Sequence, residues 1–157
     1  AAVNAGVATM MTSHVMYPAW DKDYPATLST KILKQILRME LDFDGLVFSD
    51  DLEMKAIAGR YSVEEQVYRM AEATVDVFLC CESQELQLNV FREQMLMQEK
   101  SKNMETATKA ANRRLATLRQ NHLLHPPKAP ELQHLGCEEH KQLARTVRSR
   151  AEDEGLG

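Results

Sequence analysis

Two short apolar runs in this chain end in residues that can do chemistry. Asp50-Asp51-Leu52-Glu53 follows Gly45-Leu46-Val47-Phe48-Ser49, and Ser13-His14 follows Val7-Ala8-Thr9-Met10-Met11-Thr12. A carboxylate held rigidly at the end of a buried strand can attack an electron-poor carbon, or ligate a hard cation together with its neighbours Asp51 and Glu53. Asp also caps helical turns, so Asp50 and Asp51 have a plain structural reading beside the chemical one. Adjacent strand residues point to opposite faces, so only one of the pair can serve a common site. His134, Cys137 and His140 stand three apart, but they lack a fourth ligand and a knuckle framework, so no zinc site is expected. There is no Gly-x-Gly-x-x-Gly loop to favour a dinucleotide, and no cofactor is expected.

The elements that must position these residues follow from periodicity. Runs beginning near Val7, Leu46 and Val75 lie about 30 to 40 residues apart and are apolar on both faces, as buried parallel strands are. Between them, Ser29 is a good N-cap for an amphipathic helix with Ile32, Leu33, Ile36, Leu37 and Leu41 on one face. Ser62-Val63-Glu64-Glu65 has the form of a capping box and opens a second helix, while a short helical turn is expected to follow Asp50-Asp51-Leu52-Glu53, through Ile57. The order strand, helix, strand, helix, strand, helix predicts a parallel α/β sheet, either an open doubly wound sheet or a (β/α)8 barrel. Both architectures place chemistry at the carboxyl ends of strands, which selects Ser13-His14 and Asp50-Asp51. Glu85 to Gln98 reads as a helix, and Ala107, Ala111, Leu115 and Leu118 form a further stripe. The prolines of His125-Pro126-Pro127-Lys128-Ala129-Pro130 mark a linker, and Glu139 to Glu152 reads as a polar helix with Leu143, Ala144 and Val147 inward. Three segments are therefore expected: 1–121, a linker at 122–136, and 137–157.

Charge and composition narrow the partners. Residues 1–99 hold eight basic against sixteen acidic side chains, and residues 100–157 hold eleven against seven. The basic part has interspersed acids and no aromatic residue to stack on bases, so it reads as a solvated helical surface and nucleic acid is not expected. Charged residues interrupt every apolar run well short of the roughly 18 to 20 residues of a membrane span. Three cysteines, two of them adjacent in a strand-like run, suit reduced thiols and a cytoplasmic setting. Ala1-Ala2-Val3-Asn4-Ala5-Gly6 reads as the last turn of a helix with its glycine cap, so the sequence is expected to be a piece of something longer.

Three strings then carry a resemblance: Thr12-Ser13-His14-Val15-Met16-Tyr17-Pro18, Pro25-Ala26-Thr27-Leu28-Ser29, and Leu37-Arg38-Met39-Glu40-Leu41-Asp42-Phe43-Asp44-Gly45-Leu46-Val47-Phe48-Ser49-Asp50-Asp51-Leu52-Glu53-Met54-Lys55-Ala56-Ile57. Together they resemble the second half of a glycoside hydrolase family 3 barrel, of the bacterial β-N-acetylhexosaminidase branch, from Ala1 to about Leu118. The resemblance implies a partial TIM-like barrel made of its last three βα units and followed by C-terminal helices, with the upstream half of the same barrel as partner. It implies a retaining exo-β-N-acetylglucosaminidase acting on oligosaccharides or muropeptides. Asp50 maps onto the family's nucleophile, while Asp51 keeps a structural role.

His14 is placed at the barrel mouth, as a substrate-binding residue that bonds a sugar hydroxyl or as one that orients a carboxylate or packs within its loop. Tyr17 and Trp20 can offer faces to a pyranose ring or pin the loop. Met10, Met11 and Met54 read as core or wall. The family's general acid/base lies in a segment that this sequence does not contain. Two positions depart from the pattern: Asp42 and Thr74 stand where relatives usually carry glycine, which costs local stability if those positions hold a positive φ. A non-catalytic binding remnant, a β-glucosidase-like enzyme and a metal-dependent enzyme on Asp50, Asp51 and Glu53 are the other readings.

Overall fold

The computed structural model describes residues 1–124 and 135–154, in two compact units, Ala1–Leu124 and His125–Gly157. The first unit is an α/β fold around three parallel strands in sequential order, β1 (Thr9–Met11), β2 (Leu46–Asp51) and β3 (Val77–Leu79). A turn over the first residues closes on Gly6, whose φ of 76° is the left-handed cap conformation expected there. β1 pairs with β2 in the register Thr9 to Leu46, Met10 to Val47 and Met11 to Phe48. β2 pairs with β3 at Phe48 to Val77 and Asp51 to Leu79, so β2 carries one extra residue between these two points. That bulge is stitched by a side chain: the buried Ser49 Oγ accepts the Leu79 N–H at 2.9 Å.

One face of the sheet is covered. Met10, Val47 and Phe78 pack with Leu33, Phe43, Val67, Met70, Ala73 and Val75 into the main core. Met11, Phe48 and Val77 share the other face by register, and Met11 is 65 % exposed there. The helix between β1 and β2 runs from Lys31 to Glu40 and is π-wound, closing with the Leu41 N–H on the Ile36 carbonyl. Ser29 starts it as expected, its Oγ accepting the Ile32 N–H at 3.1 Å. Leu41, expected on the buried stripe, is instead the exposed C-cap residue.

Helix α1 (Val63–Glu72) is opened by Ser62, whose side chain accepts the Glu65 N–H. Its end is a Schellman motif: Val75 N–H bonds the Met70 carbonyl at 2.9 Å and Thr74 N–H bonds the Ala71 carbonyl at 3.2 Å. The residue in the left-handed position is Thr74, at φ 70°, and Asp42 holds the corresponding place after the π-helix at φ 54°. Both glycine departures thus fall on positions that want glycine. Helices α2 (Gln84–Lys100) and α3 (Lys102–Leu118) follow, and α3 runs on into a wide turn at Arg119–Leu123. The expected helical turn after Asp51 is a series of turns, with Ile57 and Ala58 N–H both on the Met54 carbonyl.

A buried ionic cluster ties the amino ends of the strands. The Asp76 side chain is fully buried at the entry to β3. Its Oδ2 accepts from Arg38 Nη2 at 2.6 Å and Val47 N–H at 2.8 Å, and its Oδ1 accepts from Arg114 Nε and Nη2 at 2.9 and 2.7 Å. Arg38 Nη1 also donates to the carbonyls of Phe43 and Gly45. Gly45 is required there because a Cβ would stand 2.4 Å from the Ala8 carbonyl oxygen.

In the second unit, α4 spans Glu138–Asp153, with Arg145 paired to Glu138. Within that unit Leu143 and Val147 are exposed, not inward as their spacing suggests, because no described element of the unit packs against them. Most of the expected linker, and His134 of the zinc reading, fall on residues 125–134, outside the described residues. Among the described residues no helix is long and apolar enough to cross a membrane.

Candidate active site

The carboxyl ends of β1 and β2 bring Thr12, His14 and Asp50 to one end of the sheet, opposite the Asp76 cluster. Asp50 and Asp51 are the last two residues of β2, not the start of a loop, because Asp51 still pairs with Leu79 and the Leu52 N–H bonds the Leu79 carbonyl. The bulge interrupts strict alternation at this point. What separates the two acids is what their carboxylates hold. Asp51 Oδ1 accepts the N–H groups of Glu53 and Cys81, and Glu53 Oε1 accepts those of Ser83 and Glu82. These two carboxylates anchor the loops after β2 and β3. Asp50 Oδ1 accepts only the Asp51 N–H, at 2.9 Å, and among the described residues its Oδ2 takes no hydrogen bond.

His14 is buried, with both ring nitrogens engaged: Nδ1 lies 2.9 Å from Thr27 Oγ1 and Nε2 lies 2.9 Å from the Asp51 carbonyl oxygen. The imidazole therefore ties the loop after β1 to the end of β2 and has no free nitrogen for a ligand. Thr27, fully buried in the turn Ala26–Leu28, also meets Thr12 Oγ1 at 2.9 Å. The loop from Ser13 to Pro25 is held by the buried Asp21, which accepts from Ser29 Oγ at 2.6 Å, Asp23 N–H at 3.0 Å and Lys31 Nζ at 3.2 Å. Tyr17 and Trp20 are exposed in this loop, their ring centroids 5.7 Å apart. Met54 is exposed beyond β2, while Met10 packs on the core.

The thiols of Cys80 and Cys81 lie above the ordinary thiol range, because desolvation, and then the carboxylates of Glu53 and Asp51, disfavour the thiolate. Among the described residues, no three His, Cys, Asp or Glu side chains gather as metal ligands.

This geometry has close counterparts. The description of the glycosyl hydrolase family 3 N-terminal domain matches residues 1–118. The chain belongs to glycosyl hydrolase family 3. A β-hexosaminidase of Thiobacillus denitrificans is 45 % identical over 84 residues, 54 % of this chain and 23 % of that protein. One from Vibrio cholerae is 42 % identical over 91 residues, 57 % of this chain and 27 % of that protein. Among solved structures, a family 3 β-N-acetylglucosaminidase from a Paenibacillus species aligns with a TM-score of 0.75 at 31 % identity, covering 93 % of this chain and 28 % of that one. The β-N-acetylglucosaminidase of Thermotoga maritima aligns at 0.68 and 31 %, over 81 % of this chain and 28 % of that one. The chain spans about a quarter of the length of these family 3 relatives.

Thr12 and Thr27 belong to the strings by which the family 3 resemblance is drawn, yet nothing in their residue type singles them out. Their place beside His14 depends on a loop that brings residues 13 to 15 positions apart together.

Proposed function

We propose that this chain is the nucleophile-bearing part of a retaining exo-β-N-acetylglucosaminidase, which releases terminal β-N-acetylglucosamine from oligosaccharides such as muropeptides. The observation that carries this reading is the contrast among the three acids: Asp51 and Glu53 each accept two backbone N–H groups and tie down the loop after β3, whereas Asp50, at the carboxyl end of the middle strand, accepts among the described residues only from its own neighbour Asp51. A carboxylate so placed attacks the anomeric carbon as the leaving oxygen is protonated, forming a glycosyl ester on Asp50; water then attacks that carbon from the face the leaving group vacated, opposite the ester, and frees the Asp50 carboxylate. Two displacements give net retention. The single hydrogen bond from the Asp51 N–H steadies Asp50 without taking both oxygens.

The three strands are read as the last three of a (β/α)8 barrel, with the remaining units and the acid/base supplied from outside these residues. In support, the strands run parallel in chain order, as in a barrel, and Met11, Phe48 and Val77 line the face opposite the main core, with Met11 exposed there.

The test uses the full reading frame. Asp50→Asn is expected to leave the fold intact and abolish turnover of a chromogenic β-N-acetylglucosaminide, because an amide supplies no anionic nucleophile. A slow-leaving fluorosugar is expected to label the peptide containing Asp50, and proton NMR is expected to show the β-anomer first. Label on Asp51 or Glu53, or first release of the α-anomer, overturns the assignment.

A further inference from the structure

Donor and acceptor chemistry gives the bonds around His14 a direction. The Asp51 carbonyl oxygen has no hydrogen, so Nε2, 2.9 Å away, must be the protonated ring nitrogen. In a neutral imidazole Nδ1 is then an acceptor, and the hydroxyl of Thr27 stands 2.9 Å from it as donor. With its one hydrogen on His14, Thr27 can face Thr12 Oγ1 at 2.9 Å only by accepting, so the Thr12 hydroxyl donates. His14 and Thr27, the middle of the chain of bonds, are buried away from water, while Thr12 and Asp51 at its ends are half-buried. The chain of bonds ends on Asp51, which is held from both sides: its carbonyl by His14, and its carboxylate by the N–H groups of Glu53 and Cys81. Its remaining polar group, the backbone N–H, is the one bonded to Asp50 Oδ1.

We propose that Thr12, Thr27 and His14 form a one-way hydrogen-bond relay that positions the Asp50 carboxylate through Asp51. His14 is a positioning residue in the neutral Nε2–H form and makes no contact with the sugar. The catalytic consequence rests on Asp50 being the nucleophile; the direction of the relay does not. A nucleophile displaced by a fraction of an ångström lowers the rate of the chemical step far more than it changes sugar affinity.

Two measurements test this on the full reading frame. With 15N-labelled histidine, and the His14 signal assigned by its loss in His14→Gln, Nε2 is expected to carry hydrogen and Nδ1 to be bare. An Nδ1–H form or a doubly protonated ring overturns the relay, and this readout needs no turnover. In kinetics on a β-N-acetylglucosaminide, Thr27→Val is expected to lower kcat by about tenfold to a hundredfold, with KM within about twofold. Thr27→Ser keeps the hydroxyl and restores kcat. Wild-type kcat in Thr27→Val, or failure of Thr27→Ser to restore it, overturns the positioning role. A wild-type enzyme inert on every β-glycoside sinks the Asp50 reading, while the labelled-histidine result still decides the relay.

Discussion

Thr74 holds its backbone at φ 70° with a branched Cβ, in a position that a glycine would occupy without strain. The left-handed conformation costs an ordinary L-residue roughly 1–2 kcal/mol. Part of that is returned by Arg38, whose Nε–H reaches Thr74 Oγ1 at 3.3 Å and whose Nη2 reaches the Thr74 carbonyl at 3.2 Å. Glycine would keep the carbonyl bond and lose only the longer hydroxyl one. Thr74→Gly is therefore expected to stabilise the full reading frame by about 0.5–1 kcal/mol, read as a higher urea midpoint at unchanged slope. Asp42→Gly is expected to gain less, since Asp tolerates φ 54° better than a β-branched residue does. A lower midpoint for Thr74→Gly would mean that the Arg38 contact outweighs the strain.

Among the elements, the loop from Ser13 to Pro25 is held at its far end by one buried carboxylate, Asp21, as His14 holds its start. Burial alone would push the Asp21 carboxyl up, but the Ser29 hydroxyl, the Asp23 N–H and Lys31 outweigh it and hold it below its ordinary value. A lowered folded value means that this stabilisation is complete above the ordinary Asp range, about pH 4, and is lost as pH falls through the folded value. Trp20, 58 % exposed beside Asp21, is the chain's one tryptophan and reports the change. Its emission is expected to shift below about pH 4. Asp21→Asn should abolish that acid step and loosen the loop already at neutral pH; an unchanged step would assign it to another acid.

The helices and strands around this loop were legible because Ser29, Ser62 and three apolar runs are local signals. The π winding of Lys31–Glu40 was not, since its apolar spacing also suits an α-helix. The bulge at Ser49–Asp50 was invisible as well, because it is made by pairing with a strand about 30 positions away. Asp50 was legible by its place after an apolar run and by family likeness. The Thr12–Thr27–His14 contacts, which exist only once the loop has folded back, were not.

For the whole molecule, the partly exposed second sheet face, with Met11 at its most open point, and the outer edges of β1 and β3 set its behaviour. Unpaired edges and an apolar face promote association, so the isolated 157-residue chain is expected to self-associate and bind a hydrophobic dye. Loss of acid catalysis alone costs about 10²- to 10⁴-fold, so that chain is also expected to show no turnover above background, while the full reading frame does. Comparable turnover by both would refute the partial-barrel reading. The Asp76 cluster sets a different property, the timing of opening. Arg38 and Arg114 each stand 38 positions from Asp76, on opposite sides of it in the sequence, so the cluster closes only after the π-helix and α3 have both docked. It cannot be released by fraying at either end. The Val47 amide, locked onto Asp76 Oδ2, becomes a clock for global opening: its deuterium uptake should run at the rate of complete unfolding, far behind the amides of the turns after β2. Rapid uptake at Val47 would reveal a hinge inside the core.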